Sequence, residues 1–470
     1  MQFTGTLFLF LFLPLALLIY GIARDGAKEY VLFGLSMIFY AAGCLDYFLL
    51  FIVLSFAVVI IGRTMASCRN TAARRVLLIL GIVLNVSALG YYKYSGFAVR
   101  TMNSLLGRAA AVPEIALPLG ISFFTFKAIS YLADIYTGKA ELDENPLHDA
   151  LYLSFFAQIQ AGPLTRYQSM KSVSAGGERR ALFNDGVFRF MIGFNKKVLI
   201  ADTLALVTNE VFSAPFSDFS SLYGWLGSIC YSLQLFFDFA GYSDMAIGLS
   251  EMFGYRCMEN FNFPYMTESV SRFWRRWHIS LSQWFRDYIY IPMGGSRVKG
   301  MRVYFNLFAV WLLTGIWHGA NWNFIVWGLG YFVLISFERA AGIPDRFRSK
   351  PAKVIYRIFT LLFINCEWVL FRAEGLKNGA AFLKQMFVLH TDPLKDARAV
   401  FLFKDNFFII VAALLLCFPV VRVIDEKLKE RKKLRQIYEL TVGILTCLFF
   451  AAALSFVVSG QNNPFAYANF

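Results

Sequence analysis

The chain has 470 residues, of which 58% are hydrophobic, 18% aromatic and only 16% charged. A soluble protein of this length needs far more charge on its surface, so the composition excludes a soluble multidomain enzyme and indicates a membrane protein. The net charge of +14 does not point to nucleic acid, because Lys and Arg fall in short clusters between apolar runs rather than along one polar face.

A spanning helix needs roughly 20 mostly apolar residues. Runs that meet or approach this lie near 4–22, 30–44, 46–62, 76–92, 115–135, 197–213, 222–247, 303–318, 321–337, 354–371, 405–422 and 438–458. The expectation is an all-α polytopic membrane protein with about 11–12 transmembrane helices, the shortest of them re-entrant or interfacial. The first run, Thr4 to Tyr20, lacks a basic leader and a small-residue cleavage site, so it reads as a retained span. No repeat or polar linker divides the chain, and a single membrane domain over 1–470 is expected.

Four loops are strongly basic: Arg63 to Arg75, Arg272 to Arg302, Arg339 to Lys353 and Arg422 to Arg435. Placing all four in the cytoplasm is consistent with the alternation of the intervening spans and puts both termini outside. The loop from Thr137 to Asp149 then also faces the cytoplasm. Its Glu141, Asp143 and Glu144 do not argue against that, since acidic residues influence orientation little. Seven cysteines occur without a C-x-x-C pair and mostly within apolar runs, which suggests buried thiols and no metal site.

The segment from Phe253 to Arg302 is too polar to span yet dense in rings. Arg272, Arg275, Arg276 and Arg286 interleave with Phe273, Trp274, Trp277, Trp284 and Phe285. This is the composition of helices at the headgroup level, with Arg outward and rings toward the acyl chains. The same guanidinium groups, Arg275 and Arg276 in particular, would suit an anionic nucleotide-bearing donor.

Of the four histidines, His148 and His390 sit in polar connecting segments and read as surface residues. His278 lies in the basic aromatic segment. His318 ends an apolar run, in Trp317-His318-Gly319-Ala320-Asn321-Trp322, and an ionisable residue between spans is a functional candidate. Desolvation would keep it neutral, as a general base requires. Gly319 would leave room for a substrate atom, and Asn321 would either donate to an oxyanion or cap a helix. No G-x-S-x-G elbow and no phosphate-binding loop is present. Asp238 and Asp244 bracket Gly241, and structural hydrogen bonding to an interrupted helix is the favoured reading for them.

Arg272-Phe273-Trp274-Arg275-Arg276-Trp277-His278-Ile279-Ser280-Leu281-Ser282, followed by Trp284-Phe285-Arg286-Asp287-Tyr288-Ile289-Tyr290-Ile291-Pro292, resembles the signature of the membrane-bound O-acyltransferase (MBOAT) family. Gly315-Ile316-Trp317-His318-Gly319 is similar to that family's histidine motif. Pro118 to Phe126, Ala161 to Tyr167, Asp238 to Asp244 and Asn463-Pro464-Phe465 resemble the bacterial branch that O-acetylates alginate; Ala157 departs from it, standing where that branch has proline. The resemblance implies helices around a central tunnel in the bacterial inner membrane, with the signature at about 253–337. It implies His318 as catalytic residue with His278 as companion, and a substrate region that takes in Trp317, Asn321, Arg275 and Arg276. It further implies no bound cofactor, acetyl-CoA or another acyl thioester as donor, and an extracytoplasmic SGNH-type acetyltransferase partner that acylates an exported polysaccharide. Two other readings compete: teichoic-acid D-alanylation from a carrier-protein thioester, and a proton-coupled transporter built on Asp238, Asp244 and Glu367.

Overall fold

A computed structural model describes residues 1–170, 176–216, 219–388, 393–461, 463 and 465. Among them every regular element is a helix. The chain is an all-α, multi-pass membrane protein.

The physics of one span illustrates why. In the helix Phe48–Ser67, Phe51, Leu54, Ser55, Val58, Val59, Gly62 and Met65 are buried at three- and four-residue spacing. The opposite face is equally apolar but bare, with Leu49 71% and Ile60 62% exposed. A helix hydrophobic all round, with one face against protein, is built for lipid. Asn70 then starts the next helix, its side chain accepting from the Ala72 and Ala73 amides. Small residues set the packing: a Cβ on Gly62 would lie 2.5 Å from the Tyr131 ring.

Among the described residues, five helices are long and apolar enough to cross a bilayer: Leu45–Ser67, Thr71–Leu106, Trp322–Ala341, Lys350–Arg372 and Lys432–Val458. Asp396–Asp405 and Phe407–Leu416, bent by 68°, make a sixth if they count as one span. The runs near 30–44, 222–247 and 303–318 lie in the helices Lys28–Gly43, Ser221–Met252 and Met301–His318, and others are divided or shortened. The run near 115–135 is helical only from Ile121, because Gly120 turns the chain at φ 67°. The run near 197–213 divides into a π-helical turn, Lys196–Ala201, and the helix Asp202–Ser213. The first run forms Phe8–Ile22, an apolar helix shorter than a full span.

The described residues group into two compact units, Met1–Phe190 with Ser243–Met258, and Met191–Tyr242 with Glu259–Phe470. In the second unit the helices Met301–His318 and Trp322–Ala341 form a tight hairpin. A Cβ on Gly315 would lie 2.6 Å from the Phe324 carbonyl oxygen, and one on Gly328 2.5 Å from that of Trp311. The two backbones approach this closely because both positions are glycine.

Candidate active site

His318 is the last residue of its helix, which ends because Gly319 is fully extended, at φ −171° and ψ 155°. The imidazole is 3% exposed. Rings that pack on it include Trp317 at 4.7 Å, Trp327 edge-on at 4.8 Å and Phe371 edge-on at 5.2 Å between centroids. The Trp317 ring also lies 6.2 Å from that of His278, which packs edge-on against Phe239 at 4.6 Å. The fold therefore brings three sequence candidates, His278, Trp317 and His318, into one aromatic cluster.

His278 is placed by a sharp turn. It has φ 44° and ψ 54°, an uncommon left-handed conformation for a residue with a Cβ, and it precedes the helix Ile279–Phe285. Asn260 holds the turn. Its backbone oxygen accepts from the Ile279 amide at 2.9 Å. Its Oδ1 lies 3.1 Å from His278 Nδ1 and accepts from Ser280 Oγ at 2.9 Å. Burial pushes the His278 imidazolium down to about 3, so the ring is neutral at physiological pH.

The arginine–tryptophan segment is pinned by Glu338, a residue the sequence reading passed over. This carboxylate, 1% exposed, accepts from the Val270 and Ser271 amides at 2.7 and 2.8 Å and from Tyr356 Oη at 2.9 Å. It thus caps the helical turn Val270–Phe273 with a charge of the favourable sign. The rings of the segment face protein, which corrects the expectation that they meet acyl chains. Trp277 is fully buried between Phe273 at 5.5 Å and Trp368 at 4.9 Å. Trp274 packs on Trp311 and Tyr331.

The remaining candidates lie at the margins. Arg275 is exposed, and Arg276 is half-buried with Nη1 donating to the Asn262 oxygen at 3.4 Å. Asn321 is exposed at the start of its helix and its side chain makes no cap. The buried amide next to His318's turn is instead Asn323, which donates to the Leu370 and Ala373 oxygens at 3.1 Å each. Gly319 does not open space for substrate, because a Cβ there would strike the Phe324 ring. Its lack of a side chain accommodates packing.

The helix Ser221–Met252 runs unbroken through Asp238 and Asp244, which corrects the interrupted helix expected there. Distant bases neutralise both acids. Lys197 pairs with Asp202 at 2.5 Å and Asp238 at 2.8 Å, all three almost fully buried, and Arg189 pairs with Asp244 at 3.0 Å. Gly241 lets the Gly193 carbonyl approach, with a hypothetical Cβ only 2.7 Å away. Glu367 is buried against Gly330. His148 is not a plain surface residue, since its ring bonds to Glu29 at 3.0 Å and is only 13% exposed; His390 lies outside the described residues.

Residues 145–373 match the sequence model of MBOAT, the membrane-bound O-acyltransferase family. The chain is 41% identical to the probable alginate O-acetylase of Pseudomonas aeruginosa, over 84% of this chain and 76% of that protein. It is 34% identical to the peptidoglycan O-acetyltransferase of Helicobacter pylori, over 100% of this chain and 97% of that protein. Similarity to the teichoic acid D-alanyltransferase of Bacillus subtilis, at 34% identity, extends over 46% of this chain and 58% of that one. With identity of this extent, and with the buried histidine cluster inside the matched region, the chain belongs to the membrane-bound O-acyltransferase family and is an O-acyltransferase.

Proposed function

We propose that this O-acyltransferase takes an acetyl group from acetyl-CoA on the cytosolic side of the bacterial inner membrane and passes it outward for O-acetylation of an exported polysaccharide. The observation that carries the reading is the cluster of His278, Trp317 and His318 in a water-poor aromatic setting. A neutral imidazole there can take a proton from an acceptor hydroxyl as its oxygen attacks the thioester carbonyl. The carbon–sulfur bond then breaks, and the thiolate recovers the proton from the imidazolium. Aromatic walls exclude water that would otherwise hydrolyse the thioester.

Acetyl is preferred to D-alanyl because the relatives matched along most of the chain bear the names alginate O-acetylase and peptidoglycan O-acetyltransferase. The D-alanyltransferase match extends over less than half of it. Alginate and peptidoglycan are both polysaccharides. An extracytoplasmic SGNH-type partner is the expected next carrier, its nucleophilic hydroxyl being the one that His318 deprotonates.

The test is reconstitution in liposomes with isotope-labelled acetyl-CoA and glycan, with and without an SGNH-type acetyltransferase. The expected result is slow consumption of acetyl-CoA by the protein alone and acetylated glycan only when the partner is added. Robust glycan acetylation without it sinks the relay, and turnover of D-alanyl carrier thioester in place of acetyl-CoA sinks the donor assignment.

A further inference from the structure

The contacts around Asn260 fix more than the position of His278. The amide oxygen and nitrogen of an asparagine are assigned from their hydrogen bonds, and a backbone N–H settles the assignment because it only donates. At Asn260 the Ser280 amide points to Oδ1 at 3.3 Å and Ser280 Oγ donates to the same atom at 2.9 Å. That atom is therefore oxygen. His278 Nδ1 lies 3.1 Å from it. An amide oxygen carries no hydrogen, so the hydrogen of this bond belongs to Nδ1.

We infer that Asn260 is a positioning residue that locks His278 as the Nδ1–H tautomer, so that the ring presents a bare Nε2 to the site as a hydrogen-bond acceptor. A neutral imidazole has one proton, and the nitrogen it does not occupy is a lone pair. Nε2 is buried and has no hydrogen-bond partner among the described residues. The ring sits between Phe239 and Trp317, and the latter borders His318. The strong depression of the His278 pKa by burial agrees with a ring that stays neutral.

This tautomer divides the labour between the histidines. A bare nitrogen cannot donate to the oxyanion that forms at the thioester carbonyl. It can only receive a hydrogen bond, from an amide N–H of the donor or from an N–H or O–H of the acceptor other than the reacting hydroxyl, whose single hydrogen goes to His318. His278 therefore orients a donor group on a substrate, and the oxyanion is stabilised by other groups. The tautomer follows from the contacts alone, while its use in acyl transfer rests on the function proposed above.

The chain has only four histidines, so the test is 15N-histidine NMR of the full protein in nanodiscs, with His278→Gln identifying the signals. The expected spectrum has a protonated Nδ1 and a bare Nε2 at His278 from about pH 5 to 8. Asn260→Leu removes the acceptor and moves the population toward Nε2–H. Asn260→Asp keeps the acceptor and adds a negative charge. The Nδ1–H form persists and the His278 pKa, read from the same spectra, rises. Weaker binding of acetyl-CoA alone in Asn260→Leu identifies the donor amide as the group held; unchanged binding with slower transfer identifies a non-reacting group of the acceptor. A wild-type His278 that is protonated on Nε2, or a His278 pKa that does not rise in the spectra of Asn260→Asp, overturns the inference; because both are read without Asn260→Leu, it stays testable if that variant does not fold. The Nδ1–H spectrum in a protein with no acyl transfer overturns the functional reading and leaves the tautomer standing.

Discussion

Gly315 lies one helical turn before His318, and its substitution by alanine tests how the hairpin holds the site. The new Cβ would sit 2.6 Å from the Phe324 carbonyl oxygen and 3.3 Å from Ile325 Cα. Carbon and carbonyl oxygen rest no closer than about 3.3 Å, so the gap is about 0.7 Å too small. The obstacle is backbone, which cannot rotate away as a side chain does, so the helix Trp322–Ala341 must shift. Such overpacking costs about 1–3 kcal/mol. The shift also carries Trp327 away from His318, its neighbour at 4.8 Å. A displacement of this order at a reacting group lowers turnover by up to about a hundredfold. The assay pairs thermal unfolding in detergent with kcat for acetyl-CoA consumption, with Gly443→Ala as control, since a Cβ there meets nothing within 4 Å. Gly315→Ala with wild-type stability and turnover would refute the packing argument.

Lys197→Met leaves Asp202 and Asp238 buried and facing each other without their shared cation; the expected loss is about 3–5 kcal/mol, measured by unfolding, and Asp238→Asn in the same chain should recover part of it. At His148, burial opposes the charge but the bond to Glu29 outweighs it, so the pKa is raised. The pair's stabilisation is then complete below His148's ordinary pKa of about 6.5 and fades as pH rises through the folded value. Glu29→Gln should accordingly cost about 1 kcal/mol at pH ~5.5 and little at pH ~9 in melting experiments. For topology, Cys68 should resist an impermeant thiol reagent in intact cells while Asn103→Cys is labelled; the reverse pattern inverts the orientation.

How much of this was legible in the sequence depends on the range of the interaction that fixes each feature. The apolar spans near 46–62, 354–371 and 438–458 were readable because hydropathy is local, and each forms a helix long and apolar enough to span. The helix Thr71–Leu106 was read as ending near Tyr92, since Lys93 and the polar residues beyond it break the apolar run. The chain in fact continues through a π-helical turn, Gly90–Tyr94. His278, Trp317 and His318 were found by motif, and the fold brings them together. Asn260, Asn323 and Glu338 were not found, because each acts on a distant stretch of chain and has no local signature. The same holds for Lys197, whose partner Asp238 lies on another helix. Asn321 was named and Asn323 was not, although both flank Trp322, because sequence alone does not say which side of the turn faces inward.

The measurement that bears most directly on the account is acyl transfer by His318→Ala, purified in lipid and shown to be folded by its elution and melting. Removal of a general base slows such a reaction by about two to four orders of magnitude. The account predicts a loss of that size in acetyl transfer, with the protein's stability near that of the wild type. Transfer at near wild-type rate in the folded variant would contradict it and remove His318 from the chemistry.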